Sequence, residues 1–391
     1  ERRVLTCTAD ESCNLNGRCK DGACTCRQGW TGRDCGLLDL LPMQPDAPPA
    51  YGTIPTSSTT GLSTWGGSIV RDRQNSSKWH LFGTEMSQGC GLNAWGRNSV
   101  VVHATAKSPM GPFVRERELL PFFAHEPTVV ALPDGTFALY KIGCADGAIT
   151  GSNGTGLVGP CTDCSNGTTN LQGFCPPPTQ AYEGRACQEV LHASTLNGPW
   201  TRHKLDLQGW DWADVNLGLE SMSPVAFPNG SVLTLTRSWG TPAPYPNSAF
   251  WLVGADAWNG TYGKVRGAPQ PFLNVTMEDS FMFIDEEGHF HALFHAWAPI
   301  EVGAHAFSRD GLHWQLSRTR AYGTVVSTTD GGSVRYGRRE RPHLVLDERS
   351  RPTHLLSAVG GDPDFKGTLP ADFSFTHVQA VRGGTVDMQF A

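Results

Sequence analysis

Short apolar stretches separated by polar turns recur along most of the chain. Residues 129–132 are followed by the turn Pro133-Asp134-Gly135 and then by the alternating stretch 136–140. Apolar residues at every second position predict a half-buried strand, and Asp-Gly or Asn-Gly between two such stretches predicts a β-hairpin. The same pattern predicts four further hairpins, at residues 68–82, 224–235, 281–297 and 343–359.

A further strand with an aromatic residue beyond it follows four of these hairpins. These strands cover residues 100–106, 190–195, 251–257 and 305–308, and the aromatic residues are Phe113, Trp200, Tyr262 and Trp314. We predict that each aromatic residue caps the outer edge of a four-stranded unit. Five such units closing into a ring predict an all-β fold, a five-bladed β-propeller over residues 56–391. A large β-sandwich is the alternative, but it does not explain five similar units.

The composition agrees with this fold and narrows the class of partner. With 45 glycines and 27 prolines the chain is rich in turns, and no stretch has the pattern of a long helix. The net charge of −6 does not favour a nucleic-acid partner. No apolar run approaches the ~18 residues that a membrane-spanning helix needs. We therefore expect a folded protein with no nucleic-acid partner and no membrane span.

Cysteines and glycosylation motifs predict a secreted protein. Six of the twelve cysteines lie in the first 35 residues, and the others are Cys90, Cys144, Cys161, Cys164, Cys175 and Cys187. Asn-x-Ser/Thr motifs occur at Asn75, Asn153, Asn166, Asn229, Asn259 and Asn274. We expect a glycoprotein whose signal peptide has been removed. The Cys161-x-x-Cys164 spacing also suits zinc or redox chemistry, but an oxidising compartment favours disulfides.

A Gly- and Pro-rich insertion at residues 144–187 interrupts the propeller repeat. It is too rich in glycine and proline to carry its own core, so we expect its five cysteines to be oxidised. We predict that they pair with one another and with Cys90. The insertion would then form one wall of a central pocket.

Residues 1–36 resemble an epidermal-growth-factor (EGF) module. The specific part runs from Cys24 to Cys35, with C-x-C followed by Gly29-Trp30-x-Gly32 and a final cysteine. The resemblance implies the pairs Cys7–Cys19, Cys13–Cys24 and Cys26–Cys35, whereas spacing alone allows fifteen connectivities. The acidic calcium signature is absent before Cys7. The module serves either to dock an extracellular protein or as a spacer or folding cap.

Residues 37–55 form a Pro-rich segment between the module and the first predicted hairpin. Five prolines between residues 42 and 55 predict either a stiff linker or an extended segment lying on the propeller.

The blade pattern of residues 56–391 resembles the five-bladed glycoside hydrolases, the group of arabinanases, xylosidases and invertases. Residues 308–314, Ser-Arg-Asp-Gly-Leu-His-Trp, are also similar to the sialidase Asp box, which is a structural turn. The resemblance implies a central pocket lined by the head of each innermost strand. Some of these relatives hold a structural ion on the propeller axis through a histidine. An axial ion is therefore conceivable here, although we expect no required cofactor.

Carboxylates recur at the predicted heads of four innermost strands. These acids are Glu126, Glu220, Glu278 with Asp279, and Glu340. Glycosidic cleavage needs one carboxyl group kept protonated and one ionised, and crowded like charges raise at least one pKa. The acids could instead close salt bridges between blades. Arg339 and Arg341 would hold neighbouring carboxylates ionised, or bind an anionic sugar.

The first blade departs from the pattern of the five-bladed hydrolases. The resemblance implies an aspartate base there, but the chain has Trp65-Gly66-Gly67 and no acid between Tyr51 and Arg71. Either the base has moved, with Glu126 and Glu85 as candidates, or the catalytic machinery is absent.

Aromatic and histidine residues near the same strand ends are candidate sugar contacts. The candidates are Trp65, Trp95, His125, Trp239, His295 and Trp297. His289, His291 and His295 share one strand face, which could bind a metal. The alternative is a polar blade surface with His295 alone reaching the pocket.

The sequence therefore predicts a secreted glycoside hydrolase acting on an extracellular glycan or polysaccharide. The alternative is a non-catalytic propeller that binds carbohydrate or protein in a matrix. The resemblance favours Glu278 as the acid, with Asp279 second and Glu126 or Glu220 as partner. Because neighbouring strand residues point to opposite faces, only one of Glu278 and Asp279 should reach the pocket.

Overall fold

The structure, a computed structural model, describes residues 7–55, 61–92, 95–121, 124–143, 189–207, 216–239, 248–269, 271–296, 302–361 and 372–384. Its N-terminal module contains a 3-10 helix, Asp10–Cys13, and four short strands. They are β1 (Gly17–Lys20), β2 (Ala23–Cys26), β3 (Trp30–Thr31) and β4 (Leu37–Leu38). The disulfides Cys7–Cys19, Cys13–Cys24 and Cys26–Cys35 confirm the pairing implied by the EGF resemblance.

Five antiparallel sheets follow, so the prediction of a five-bladed all-β propeller is confirmed. Blade 1 contains β5 (Thr64–Arg71), β6 (Trp79–Met86), β7 (Ser99–Ala106) and β8 (Val114–Leu120). Blade 2 contains β9 (His125–Ala131), β10 (Phe137–Ile142), β11 (Glu189–Ala193) and β12 (Thr201–Lys204). Blade 3 contains β14 (Asn216–Ala226), β15 (Val232–Trp239), β16 (Ser248–Ala255) and β17 (Thr261–Lys264), and β13 (Asp206–Leu207) pairs with β17 in parallel.

Blade 4 contains β18 (Met277–Ile284), β19 (Phe290–Ala296), β20 (Ala304–Ser308) and β21 (Gln315–Leu316). A separate hairpin, β22 (Val325–Ser327) and β23 (Ser333–Arg335), precedes blade 5. Blade 5 contains β24 (Arg338–Leu346), β25 (Pro352–Gly360) and β26 (Ser374–Ala380). Within the described ranges the helical elements are the 3-10 turns Asp10–Cys13 and Ser87–Gly89 and the single-turn helix α1 (Trp95–Asn98).

Each innermost strand carries a bulge at its head. The register of the pairing with the next strand shifts between Thr64 and Gly67, and equivalent shifts occur in the other four blades. A bulge adds one residue to one strand and changes the direction of the side chains there. Glu126, Asp279 and Arg341 occupy these bulges with left-handed φ angles of 51°, 58° and 55°. Such angles are uncommon for residues other than glycine and cluster at functional sites.

The segment at residues 37–55 lies along blade 5 as an extended chain, which is the second of the two arrangements expected for it. The amide of Leu41 donates to the carbonyl of Ala380, and Tyr51 and Thr376 exchange backbone hydrogen bonds. An isolated antiparallel bridge also joins Leu40 to Val381. This segment therefore occupies the outer edge of blade 5, beside β26.

The remaining cysteines and the glycosylation motifs are described only in part. Cys90 is disulfide-bonded, whereas the insertion cysteines Cys144, Cys161, Cys164, Cys175 and Cys187 lie outside the described residues. Asn75, Asn229, Asn259 and Asn274 are exposed, and Asn153 and Asn166 lie outside the described residues. Glycosylation at these motifs remains a prediction.

Candidate functional site

Blades 4 and 5 bring three carboxylates and a histidine together. One oxygen or nitrogen atom from each of Glu278, Asp279, His295 and Glu340 lies within 4.8 Å of the others. Glu278 and Asp279 lie at the head of β18, Glu340 lies at the head of β24, and His295 lies opposite Glu278 on β19. All four side chains are mostly buried, so their charges interact strongly.

Glu278 is held in the ionised form. Nη2 of Arg237 lies 2.6 Å from its Oε2 atom, and Nδ1 of His295 lies 2.9 Å from Oε1. Burial alone would raise the pKa of Glu278, but Arg237 and the His295 hydrogen bond outweigh burial, and the pKa is lowered. Ser248 fixes this arrangement, because it accepts from Nε of Arg237 and donates to the carbonyl of Met277.

The pKa of Asp279 is shifted in the opposite direction to that of Glu278. The side chain of Asp279 is buried, and the negative charges of Glu126 and Glu278 are close to it. Burial and these two carboxylates raise the pKa of Asp279 well above its usual value, although Arg341 opposes the shift. Asp279 is therefore the carboxyl group that holds a proton most readily in this cluster.

Glu340 also favours its protonated form. Burial raises the pKa of Glu340, and the opposing charge of His295, whose Nδ1 atom is 3.7 Å away, does not cancel this effect. Burial works to lower the pKa of His295, but Glu278 and Glu340 outweigh burial, and the pKa is raised. The site thus places Glu278, whose pKa is lowered, beside Glu340, whose pKa is raised.

The side chain of Arg341 occupies the space at the head of blade 1, where the sequence has no acid. From blade 5 this side chain reaches Glu126 of blade 2, with Nη1 at 3.3 Å from Oε2 and Nη2 donating to the backbone carbonyl at 2.9 Å. On the way it passes over Gly66, where an added Cβ atom would lie 2.5 Å from Cγ of Arg341. The space in front of blade 1 is therefore occupied by an arginine from blade 5.

The structure differs from two sequence-based expectations about Glu278 and Asp279. Strand alternation would send the two side chains to opposite faces, but the bulge lets both reach the same cluster. The preference for Glu278 as the acid conflicts with its lowered pKa, since an ionised carboxylate has no proton to donate. Asp279 and Glu340 have raised pKa values and therefore hold a proton more readily than Glu278 does.

Arg339 and Glu85 do not contact this cluster. Arg339 is 1% exposed and donates to three neutral acceptors, Ser357, the Gly323 carbonyl and Gln379, so it does not hold a carboxylate. Glu85 accepts hydrogen bonds from Tyr51 and from Nε of Arg115 on the outermost strand of blade 1. The carboxylate of Glu85 is thus engaged on the outer side of its blade and is not a relocated base.

The predicted aromatic contacts fall into different environments. Trp65 is buried with Met86, Cys90 and Ala358 and has no open ring face for a sugar. Trp95 packs its ring 5.2 Å from that of His125, which hydrogen-bonds Ser99. Burial lowers the pKa of His125 to about 4. Trp297 and the side chains of Glu220 and Trp239 lie outside the described residues.

Of the three histidines predicted to share a strand face, His295 alone joins the acidic cluster. His289 and His291 lie 3.3 and 3.4 Å from Oδ2 of Asp285, at the far end of blade 4. The three histidines therefore do not form one metal site. His295 lies at the head of the blade, whereas His289 and His291 lie toward its opposite end.

The spacing of Glu278, Asp279, His295 and Glu340 is short enough for a cation to bridge their atoms. The raised pKa of His295 works against a cation in this arrangement, since a histidine that carries both ring protons has no lone pair to offer a metal. Glu278 is also already neutralised by Arg237. An ion on the propeller axis remains a prediction.

Sequence reasoning missed Arg237 and Ser248. Arg237 lies on the second strand of blade 3 and Ser248 on the third, whereas the sequence analysis considered the heads of the innermost strands. The sequence signal was weak, because Arg237 is one charged residue in an otherwise ordinary alternating strand.

Comparison with known proteins identifies the module and the propeller separately. Residues 9–37 match the family model of the Teneurin-like EGF domain. The catalytic domain of a Coprinopsis cinerea GH62 α-L-arabinofuranosidase is similar in structure, with a TM-score of 0.53 and 11% identity over 86% of this chain and 96% of that chain. A Dyadobacter fermentans protein of unknown function has a TM-score of 0.51 and 11% identity over 86% and 99% of the two chains.

An α-L-arabinofuranosidase from Podospora anserina is also similar, with a TM-score of 0.50 and 10% identity over 86% of this chain and 98% of that chain. At these identities the likeness establishes the five-bladed fold of the glycoside hydrolases, as the blade pattern predicted. No curated protein matches the chain in sequence. In the part of the chain that the structure covers, none of the helices has the length and apolar character needed to cross a membrane.

Proposed function

We propose that this protein is an extracellular glycoside hydrolase that cleaves a glycan in the central pocket of the propeller. The observation that carries the proposal is the closeness of Glu278 and Glu340, with an oxygen atom of each within 4.8 Å, together with the opposite directions of their pKa shifts. A pair of carboxyl groups in opposite protonation states is what glycosidic cleavage requires.

In this proposal Glu340 donates the proton to the departing oxygen. Its side chain is 10% exposed, whereas the Asp279 residue beneath is 3% exposed. Glu278 stabilises the positive charge that develops on the sugar, or attacks the sugar carbon directly. Asp279 and Glu126 lie deeper and act through the charges that they impose on these two groups.

The separation of the pair favours retention of configuration. One oxygen of Glu278 lies within 4.8 Å of one oxygen of Glu340, a closer approach than the separation found in inverting enzymes. Inverting enzymes need ~6.5–9.5 Å, so that a water molecule fits between the acid and base. Product stereochemistry, followed by proton NMR from the first turnover, tests this assignment.

An extracellular location supports a glycan as the substrate. The three disulfides of the EGF-like module need an oxidising compartment. The four described glycosylation motifs are exposed, as attachment of a glycan to their asparagines requires.

The decisive experiment is a screen of the purified protein against neutral and acidic polysaccharides. Glu278→Gln and Glu340→Gln should each lower kcat by ~10²–10⁴-fold, because each removes one carboxyl function. Glu118→Gln, on the exposed edge strand β8, serves as a matched control and should retain full activity. Full activity in both site variants would contradict the assignment.

A carbohydrate-binding propeller without catalysis is the second candidate function. It is favoured by the first blade, where Gly66 and the side chain of Arg341 replace the expected acid. Binding of a glycan without cleavage by the parent protein, weakened by the Glu278→Gln change, would support this alternative.

A further inference from the structure

The EGF-like module is bound tightly to the propeller. Arg27 pairs with Asp285 and with Glu287, each at 2.6 Å, and Arg18 pairs with Glu287 at 2.8 Å. The side chains of Arg27 and Asp285 are only 13% and 11% exposed, so this pair is shielded from solvent. The module therefore presents this charged face to blade 4.

Trp30 anchors the module in the groove between blades 4 and 5. It is 6% exposed and belongs to one buried cluster with Phe283 and Leu293 of blade 4 and Leu355 of blade 5. Its ring lies 5.1 Å from that of His305 on the third strand of blade 4. Burial of a tryptophan contributes more apolar contact than any other side chain.

An aromatic residue fills the equivalent groove at each of the other four blade junctions. In each case it follows the third strand of its own blade and packs in the groove toward the preceding blade. These residues are Phe113 at blades 5 and 1, Trp200 at blades 1 and 2, Tyr262 at blades 2 and 3, and Trp314 at blades 3 and 4.

Blade 5 is built differently from the other four. Its sheet contains β24, β25 and β26, without a fourth strand within the described residues. Residues 40–51 take the outer edge beside β26, and Trp30 takes the groove position toward blade 4. The N-terminal region thus supplies both parts that the other blades make from their own sequence.

We propose that the EGF-like module is the closing element of the propeller, with Trp30 at blade 5 in the groove position that an aromatic cap takes at the other four blade junctions. The groove between blades 4 and 5 is the surface, and its partner is the chain's own module. This inference is independent of the proposed hydrolase activity.

The disulfides fit this role. The strands of the module are two to four residues long, too short to hold Trp30 in place by their own hydrogen bonds. The Cys26–Cys35 disulfide closes the loop that carries Trp30. The disulfide therefore holds Trp30 in place in the groove between blades 4 and 5.

The test uses Trp30→Ala in the full-length protein, with Lys20→Ala on the exposed surface of the module as control. Hydrogen exchange should rise at least about tenfold in β18, β19, β24 and β25, and remain unchanged in blades 2 and 3. The melting temperature should fall by ~5 °C or more, as expected for loss of a buried tryptophan. Lys20→Ala should change neither quantity.

A second variant tests whether Trp30 needs the Cys26–Cys35 disulfide that closes its loop. Cys26→Ser with Cys35→Ser keeps Trp30 but removes the disulfide around it, and leaves the Cys90 disulfide intact. It should raise exchange in the same four strands. Unchanged exchange there in both variants would overturn the proposal, and if the double variant cannot be produced, Trp30→Ala alone decides.

Discussion

Single residues determine the charge of each carboxylate in the site. Glu278 and Asp279 are neighbours in the chain and both are buried, yet Arg237 lowers the pKa of Glu278, while burial and then Glu126 raise that of Asp279. The difference arises from partners on blades 3 and 2, which approach the same bulge from different directions. The charge of both residues therefore depends on side chains far away in the sequence.

Asp279→Asn should stabilise the protein increasingly as the pH rises. The folded pKa of Asp279 is raised, so above about pH 4 the folded state keeps a proton that the unfolded state loses. The parent protein thus loses up to ~1.4 kcal/mol of stability per pH unit from this group, until the pH reaches the folded pKa. An asparagine avoids this loss.

Urea denaturation of parent and Asp279→Asn proteins at pH 5, 6.5 and 8 measures the effect. A variant that is less stable than the parent at pH 8 would show that Asp279 is ionised in the folded protein.

Arg237→Met should destabilise the protein because it leaves Glu278 buried without its cation. Breaking a buried ion pair from one side typically costs ~3–5 kcal/mol. Arg237→Met combined with Glu278→Gln should cost less than the sum of the single changes, since no charge is then stranded. Thermal or urea denaturation of the four proteins completes the cycle, and strict additivity would argue against the pair.

At the scale of the elements, the bulge at the head of each innermost strand creates the site. Regular strands would present alternate residues to the pocket, whereas the bulge lets consecutive residues point there. Gly66 has the same left-handed backbone as Asp279 and Arg341, with φ of 57°, but its missing side chain makes room for Arg341. The same backbone position thus carries a carboxylate at Asp279, a cation at Arg341 and no side chain at Gly66.

Gly66→Ala should be clearly more destabilising than Gly230→Ala. Both glycines have positive φ, so each alanine pays ~1–2 kcal/mol of backbone strain. Gly230 has no atom within 4 Å of the added methyl, whereas Gly66 has Arg341 at 2.5 Å. We expect ~1–3 kcal/mol of extra cost at Gly66 from overpacking. Equal melting temperatures for the two variants would place Arg341 elsewhere.

At the scale of the whole molecule, buried histidines link stability to pH. Burial lowers the pKa of His103, His125 and His354 to about 4 and that of His343 to about 3. These residues lie in blades 1, 2 and 5, so the effect is spread around the ring. Each must stay neutral in the folded protein.

The protein should therefore lose stability between about pH 6.5 and pH 4. The folded pKa values lie below the unfolded value of ~6.5, so the unfolded state takes up protons first as the pH falls. Each histidine contributes a slope of up to ~1.4 kcal/mol per pH unit. The raised pKa values of Asp279, Glu340 and His295 oppose this loss, but eight histidines have lowered pKa values and outnumber these three groups.

Guanidinium denaturation at pH 7.5 and pH 5 tests the expectation, with His354→Gln reducing the slope and the exposed His313→Gln leaving it unchanged. Greater stability at pH 5 than at pH 7.5 would contradict it.

Local patterns in the sequence determined the blades and the module. Strand alternation, Asp-Gly turns and recurring aromatic residues specified five units, because hairpins depend on residues close together in the chain. The cysteine spacing and the Gly-Trp-x-Gly loop identified the EGF-like module, and its three disulfides form as the resemblance implied. The acids at the strand heads were visible for the same reason.

The tertiary structure alone decided what those residues do. Arg339 and Arg341 are two positions apart in sequence, but one is enclosed within its own blade and the other crosses to Glu126. The ionised state of Glu278 depends on Arg237 from another blade, and the closure of blade 5 depends on Trp30, more than 300 residues before β24. Electrostatic fields and packing act through space, so a pattern read along the chain cannot contain them.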